Sequence, residues 1–293
     1  MAPTMGKNPV KIKKTSMFTE FCLRLTKSWS AKVGLLLMLF IVLACLIGPY
    51  LTGYDLNWQN QTLMRAAPSA QHILGCDTLG RDMLTRLLYG GRYSLMIGIL
   101  SAILGAVLGI AVGLVAGYFG GMTETIIMRF MDVWSSLPGM LLCILVSAAM
   151  GNGFVATVIA LTIGSIPGGA RMTRGQVLSE RSREYIEAAE SINCSKVSIM
   201  FRHLLPNVIQ PSIVITTMSV GSTINMAASL SYIGLGIQPP SPEWGAMLAD
   251  GKGYILTDPH LIAVPGVAIA LTVLAINLLG DGLRDALDPK LRG

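Results

Sequence analysis

The side chains able to hold a metal or move a proton are few in this chain and poorly placed for either task. Its three histidines, His72, His203 and His260, fall in three different loops, which argues against a zinc site. The five cysteines, Cys22, Cys45, Cys76, Cys143 and Cys194, show neither metal-ligand spacing nor a framework of bridges. No Gly-x-x-x-x-Gly-Lys-Ser/Thr phosphate loop occurs, and no spaced carboxylate pair or nucleophile elbow is present. What remains is a segment whose chemistry is recognition, Glu184 to Pro206. Tyr185, Ala188, Ala189 and Ile192 stand at i, i+3, i+4 and i+7, and Val197, Met200, Phe201 and Leu204 repeat the spacing. Each set predicts one apolar stripe of a short amphipathic helix. Asn193-Cys194-Ser195 interrupts the pattern, with Ser195 placed to cap the second helix. Two helices hinged on a turn suit the helix-in-groove mode of docking; the alternative is an interfacial loop that caps a bundle.

The elements that must carry this segment are membrane helices. The 293 residues are 52% hydrophobic and 13% charged, about half the charge fraction of an ordinary soluble domain. Windows free of Asp, Glu, Lys, Arg and His run over 33–54, 93–119, 133–170, 207–242 and 261–280, each near or above the roughly 20 residues that cross a bilayer. The third window is too long for one crossing and divides at Gly151-Asn152-Gly153. Six spans are therefore expected, at about 33–51, 94–119, 129–150, 154–170, 207–236 and 261–280. Pro138 is expected to bend the third. The expected organisation is a cytoplasmic segment over 1–32, a first span with its extracytoplasmic segment over 33–90, and a core over 91–293.

With the N-terminus inside, 17 of the 22 Lys and Arg lie on inner segments, and only Arg65, Arg81, Arg86, Arg92 and Lys252 lie outside. That asymmetry predicts an N-in, C-in topology with the 171–206 loop in the cytoplasm. Basic loops beside anionic headgroups account for the net charge of +6, with no call for nucleic acid. In the second span Gly105, Gly109, Gly113 and Gly117 recur every fourth residue. They form a slanting groove for close helix approach, either by a helix of this chain or by a second subunit.

Ion-coupled transporters usually place ionisable groups inside the membrane. Here five of the six expected spans hold none, and the third has only Arg129 and Asp132, near its inner end. Energy for transport is thus expected to enter from outside the lipid, through the hinged helices into the fourth and fifth spans. An ion-driven carrier or channel is the alternative of a different class. Candidate pathway residues are the polar groups of the last two spans, Ser219, Ser222, Thr223, Asn225 and Asn277, although hydroxyls equally serve their own helix backbone.

Glu187-Ala188-Ala189, Ile199 and His203-Leu204-Leu205-Pro206-Asn207 resemble the EAA loop of bacterial ABC importer permeases. Three further stretches resemble the C-type permeases of dipeptide, oligopeptide and nickel importers. They are His72-Ile73-Leu74-Gly75-Cys76-Asp77-Thr78-Leu79-Gly80-Arg81-Asp82, Ser229-Leu230-Ser231-Tyr232-Ile233-Gly234-Leu235-Gly236 through Pro242-Glu243-Trp244-Gly245, and Asn277-Leu278-Leu279-Gly280-Asp281-Gly282-Leu283-Arg284 through Asp288-Pro289. Two positions depart from the pattern: Asn193 stands where the family has glycine, and Cys76 where it usually has threonine.

The resemblance implies an all-α, polytopic permease with six transmembrane helices and the type I ABC importer fold, in the bacterial cytoplasmic (inner) membrane. It implies a second homologous permease, two ATPase subunits that use ATP and Mg, and an extracytoplasmic substrate-binding protein as partners. No cofactor and no catalytic residue are expected in this chain. The coupling loop at about 182–206 would meet the ATPase through Glu187, Ala188, Ala189, Asn193, Ser195, Arg202 and His203. Arg81 and Asp82 are candidates for contact with the binding protein, or for an interfacial salt bridge. Di- or oligopeptide is the substrate the resemblance suggests, with nickel or a metal chelate as the alternative.

Overall fold

The computed structural model describes residues 28–287; expectations for most of the 1–32 segment, for Cys22 and for Pro289 lie outside them. The described helices are α1 (Trp29–Leu51), α2 (Met83–Phe119), α3 (Gly121–Trp134), α4 (Gly139–Met150), α5 (Phe154–Arg181), α6 (Glu184–Ser191), α7 (Lys196–Tyr232), α8 (Trp244–Gly251) and α9 (His260–Leu287). Among the described residues the one β contact is an isolated bridge between Cys76 and Asp82. Five helices, α1, α2, α5, α7 and α9, are each long and apolar enough to cross a bilayer.

The third expected span is not a single helix. α3 and α4 meet at 82°, so the span expected at about 129–150 starts earlier, at Gly121, and breaks before Gly139. Pro138, the residue that caps α4, has no N–H to continue a helix and disfavours helical backbone at Leu137. Gly120 and Gly121 turn the chain from α2 into α3 with φ of +64° and +54°, backbone that glycine adopts without a steric penalty. Gly151 and Gly153, at φ +87° and +132°, make the expected division between α4 and α5.

The second short helix of the hinged pair does not stand apart either. Lys196–Ser198 runs through a π-helical stretch, Ile199–Leu204, straight into Leu205–Tyr232. Pro206 has no N–H to offer, and the N–H of Leu205 reaches back five residues to the carbonyl of Met200. The wider turn carries the helix past the proline instead of ending it there.

α2 and α5 form the central pair, and the glycine groove of α2 is their seam. A methyl group built on Gly109 would stand 2.9 Å from the Cα of Gly169, and one on Gly117 would stand 2.8 Å from Val177 Cβ. Gly105 meets Ser165, and Gly113 meets Ala170 and Thr173, in the same way. The groove is therefore filled by this chain's own α5. α1 packs on α9 through a second small-residue seam, Gly34 against Ala275 and Leu279, and Ala31 against Gly282. The start of α1 and the end of α9 thus share one end of the bundle.

At one end, α6 and the start of α7 pack on α2 and α5 through Tyr118, Val177, Ile186, Ala189, Ile199 and Leu204. At the other, α8 folds back against α1, α2, α7 and α9 around Trp244, with Cys45, Met83, Ile224 and Leu261. The outer surface is apolar: Leu36, Phe40, Val107 and Leu145 are all more than half exposed. Apolar area left in water costs about 25 cal/mol per Å², and a continuous belt of this kind is matched by lipid.

Candidate functional site

The elbow at the α6 end is built from local rules. Glu184 and Glu187 occupy the first turn of α6, where the helix dipole favours negative charge. At its other end the N–H of Cys194 reaches the carbonyl of Ala189 at 3.0 Å, and the N–H of Asn193 reaches that of Glu190 at 2.9 Å. This pair of bonds is a Schellman motif, which requires a left-handed residue at Asn193; its φ is +59°. Asparagine tolerates that backbone better than most residues, which is how it replaces the expected glycine. Ser195 then accepts a bond from the N–H of Ser198 at 3.3 Å, capping α7 as its position predicts.

The buried stripes differ from those expected. α6 turns Ile186 and Ala189 inward, whereas Ile192 is 76% exposed. In α7 the inward residues are Ile199, Met200 and Leu204, while Val197 and Phe201 are 65% and 59% exposed. The i→i+5 turn shifts the buried face off the 3.6-residue spacing on which the expectation was based. Of the coupling candidates, Glu187, Ala188, Asn193, Ser195 and Arg202 are exposed and His203 is half-buried. Ala189 is a correction: it is 5% exposed and packs inside the chain, so it offers no surface to a partner. The exposed apolar residues Ile192, Val197 and Phe201, which flank the turn, were missed as a surface because their spacing reads as core.

A polar relay ties this elbow to the spans on both sides. Tyr185 donates its hydroxyl to Glu180 of α5 at 2.9 Å. Asn207 of α7 donates its amide to the Tyr185 oxygen at 3.1 Å and to the His203 carbonyl at 2.8 Å. Burial, followed by the bond to Glu180, pushes the Tyr185 phenol above its ordinary pKa, so it remains a proton donor at neutral pH. Arg183 pairs with Glu180 at 3.0 Å. Farther along α5, Arg174 donates to Glu124 at 2.6 Å and Arg171 pairs with Asp132 at 3.3 Å, joining α5 to α3. α6 is thus tied to both α5 and α7 through bonded contacts.

At the α8 end, a cavity of about 780 Å³ opens between α7 and α9. Asn225, Ser229 and Tyr232 line one wall, and Ile269, Val273 and Asn277 the other. The five pathway candidates do not converge there. Asn225 and Asn277 share the cavity, but Ser219 and Thr223 border a separate space of about 110 Å³. Ser219 bonds the carbonyl of Thr216, and Ser222 and Thr223 both bond that of Ser219, each at 2.8 Å. Those hydroxyls serve their own helix.

The segment before α2 is an internal clamp. Asp77 accepts from the Arg81 side chain at 2.6 Å and from the N–H groups of Leu79 and Arg81 at 2.8 and 3.0 Å, and it forms an ion pair with Arg86 at 3.2 Å. Asp82 caps α2 through the Thr85 N–H at 2.8 Å and pairs with His72 at 2.9 Å. Arg81 and Asp82 are 2% and 4% exposed. Of the two alternatives for Arg81 and Asp82, the salt bridge is the one this geometry matches: both charges are paired within the chain, and neither presents a free surface. Asp77 and Arg86, given no role in the sequence reading, hold this clamp together.

A bundle of five continuous spans and one broken span, with an exposed helical elbow at one end and a cavity at the other, has the build of a transport subunit. The chain belongs to the family of binding-protein-dependent transport system inner membrane components, whose model matches residues 109–293. Residues 16–68 match the N-terminal transmembrane domain of oligopeptide transport permease C. The chain is 42% identical over 275 residues to the glutathione transport system permease protein GsiD of Escherichia coli O157:H7, covering 94% of this chain and 91% of that protein. The GsiD protein of Shigella sonnei matches to the same extent.

Among solved structures, an inward-facing MetNI methionine ABC transporter superposes with a TM-score of 0.58 at 21% identity, over 70% of this chain and 98% of that one. An amino acid ABC transporter with histidines superposes with a TM-score of 0.51 at 16% identity, over 67% and 91%. The fold is thus that of ABC importer permeases. This chain is a multi-span inner-membrane transport component and not a catalytic subunit.

Proposed function

We propose that this chain forms half of the translocation pathway of an ATP-driven importer of small peptides, glutathione-like tripeptides among them. The observation that carries the reading is the elbow: an exposed Asn193 turn, flanked by Glu187, Ala188, Ile192 and Phe201 and bonded through Tyr185 to both α5 and α7. The Lys and Arg asymmetry supports an elbow on the cytoplasmic side, with α8 and the cavity facing out. A cytoplasmic ATPase receives α6 in a groove; ATP binding draws the two permeases' elbows together, and the cavity between them opens outward to take solute from the binding protein. ATP and Mg belong to the ATPase pair. The 182–206 segment is the coupling loop within the 91–293 core, and Glu187, Ala188, Asn193, Ser195, Arg202 and His203 form its working surface. Asn225 and Asn277 line the path. The peptide assignment draws on the relatives' described substrate.

The test is reconstitution of the chain with its partner permease, ATPases and binding protein in liposomes. ATP-dependent uptake is measured for glutathione, trialanine and a nickel chelate. Peptide uptake that Glu187→Arg with Ala188→Trp abolishes, along with ATPase co-purification, supports the reading. Uptake by this chain alone under an ion gradient refutes it, and uptake of the nickel chelate without peptide refutes the substrate.

A further inference from the structure

The five cations expected outside the membrane have very different commitments. Arg65 pairs with Asp258 at 2.9 Å. Arg81 and Arg86 share Asp77. Arg92 donates to the carbonyls of Cys45 and Leu46 at 2.8 and 2.7 Å, the first being the carbonyl that Pro49 leaves open by lacking an N–H. Lys252 has no carboxylate or carbonyl partner among the described residues. Its ammonium stands 5.6 Å from the centre of the Tyr232 ring, and the residue is exposed.

Lys252 lines a recess of about 250 Å³ together with Ser231, Gln238 and Asp250. Tyr232 and Ile233 border both this recess and the 780 Å³ cavity, so the two adjoin. Ser231 is 1% exposed, and its buried hydroxyl has no hydrogen-bond partner. That oxygen is shielded from solvent and lies against Gly236, so it does not open onto the recess. Asp250 is the one acid on this wall. A free ammonium therefore stands beside a small polar space at the rim of the cavity.

We propose that this recess receives the C-terminal carboxylate of the substrate peptide, with Lys252 as a specificity residue, before the solute passes Asn225 and Asn277. The proposal rests on the peptide-import reading. A carboxylate could reach Lys252 from two sources, the peptide's own C-terminus or an acidic side chain of the docked binding protein, and the experiment separates them.

Uptake is measured in the complete reconstituted importer for trialanine and triglycine and for the C-terminal amide of each, at concentrations that saturate the binding protein. Lys252→Gln, a change at an exposed position, lowers uptake of the free acids about five-fold, the upper range for a solvent-exposed ion pair. It leaves the amides unchanged, and Lys252→Arg restores the acids. Equal loss for acids and amides, with a parallel fall in binding-protein-stimulated ATP hydrolysis, assigns Lys252 to the binding protein and overturns the proposal. No loss for either overturns it as well. Absence of peptide uptake by the wild-type assembly is a separate outcome: it overturns the peptide reading itself, and this proposal with it.

Discussion

Replacing Asp77 by asparagine keeps the shape of the side chain and removes the charge that holds the segment before α2. One carboxylate oxygen faces the guanidinium groups of Arg81 and Arg86, at 2.6 and 3.2 Å. Those two side chains are only 2% and 3% exposed, so water cannot take over the lost bonds. The asparagine amide also turns donor hydrogens toward donors if it keeps its oxygen on the Leu79 and Arg81 N–H groups. Removing one partner of a buried ion pair costs about 3–5 kcal/mol, and we expect Asp77→Asn to fall in that range. The adjacent Cys76 thiol is fully buried, and burial pushes its pKa up to about 11. Maleimide labelling of Cys76 in the detergent-purified protein therefore reports opening of the clamp, alongside thermal unfolding. Labelling should accelerate and the unfolding temperature should fall. Adding Arg81→Met should recover part of the loss, because the two positions share one interaction. Stability within about 0.5 kcal/mol of wild type, with weakened contact to the binding protein instead, would refute the clamp and return these residues to a docking surface.

Three further outcomes follow from the geometry. Gly109→Ala should destabilise by about 1–3 kcal/mol, because its methyl would stand 2.9 Å from backbone at Gly169, whereas Gly168→Ala, with open space around its Cβ, should be neutral or stabilising; thermal unfolding of the two variants side by side checks this. Asn207→Ala removes the link from α7 to Tyr185 and should lower uptake per ATP hydrolysed while ATPase binding persists, so unchanged coupling would show that the relay carries no motion. Burial holds the Asp250 carboxyl above its ordinary value of 3.8, with Arg81 and Arg86 pulling the other way. An acid raised in the folded state binds protons better when folded, so its penalty is absent below about pH 3.8 and grows as pH rises. Asp250→Asn should therefore stabilise the protein at pH 7, with the gain shrinking toward pH 4 in an unfolding series.

How much of this was readable from residues alone depends on the range of the interaction involved. The spans are legible because a bilayer requires about 20 residues without charge, a condition each window meets or fails by itself. The turns at Gly151 and Asn193 are legible for the same reason, since positive φ is a property of one residue and its neighbours. The glycine groove of α2 announced close packing, but its partner is α5, some 60 residues away, and nothing local distinguishes that helix from one in another subunit. The stripe of α7 failed where a local rule met a local exception: periodicity assumes 3.6 residues per turn, and the π stretch at Ile199–Leu204 breaks the assumption; in the other stripe, Ile192 lies past the end of α6. The charged motif before α2 failed for the opposite reason. Hydropathy places Arg81, Asp82 and Arg86 on a surface, yet the Arg86 guanidinium reaches the carbonyl of Pro240 from 154 residues away, and that cross-chain pairing makes burial affordable. Lys252 stands out only after every other outer cation has been given its partner, so a three-dimensional account was needed to see that one charge had been left over.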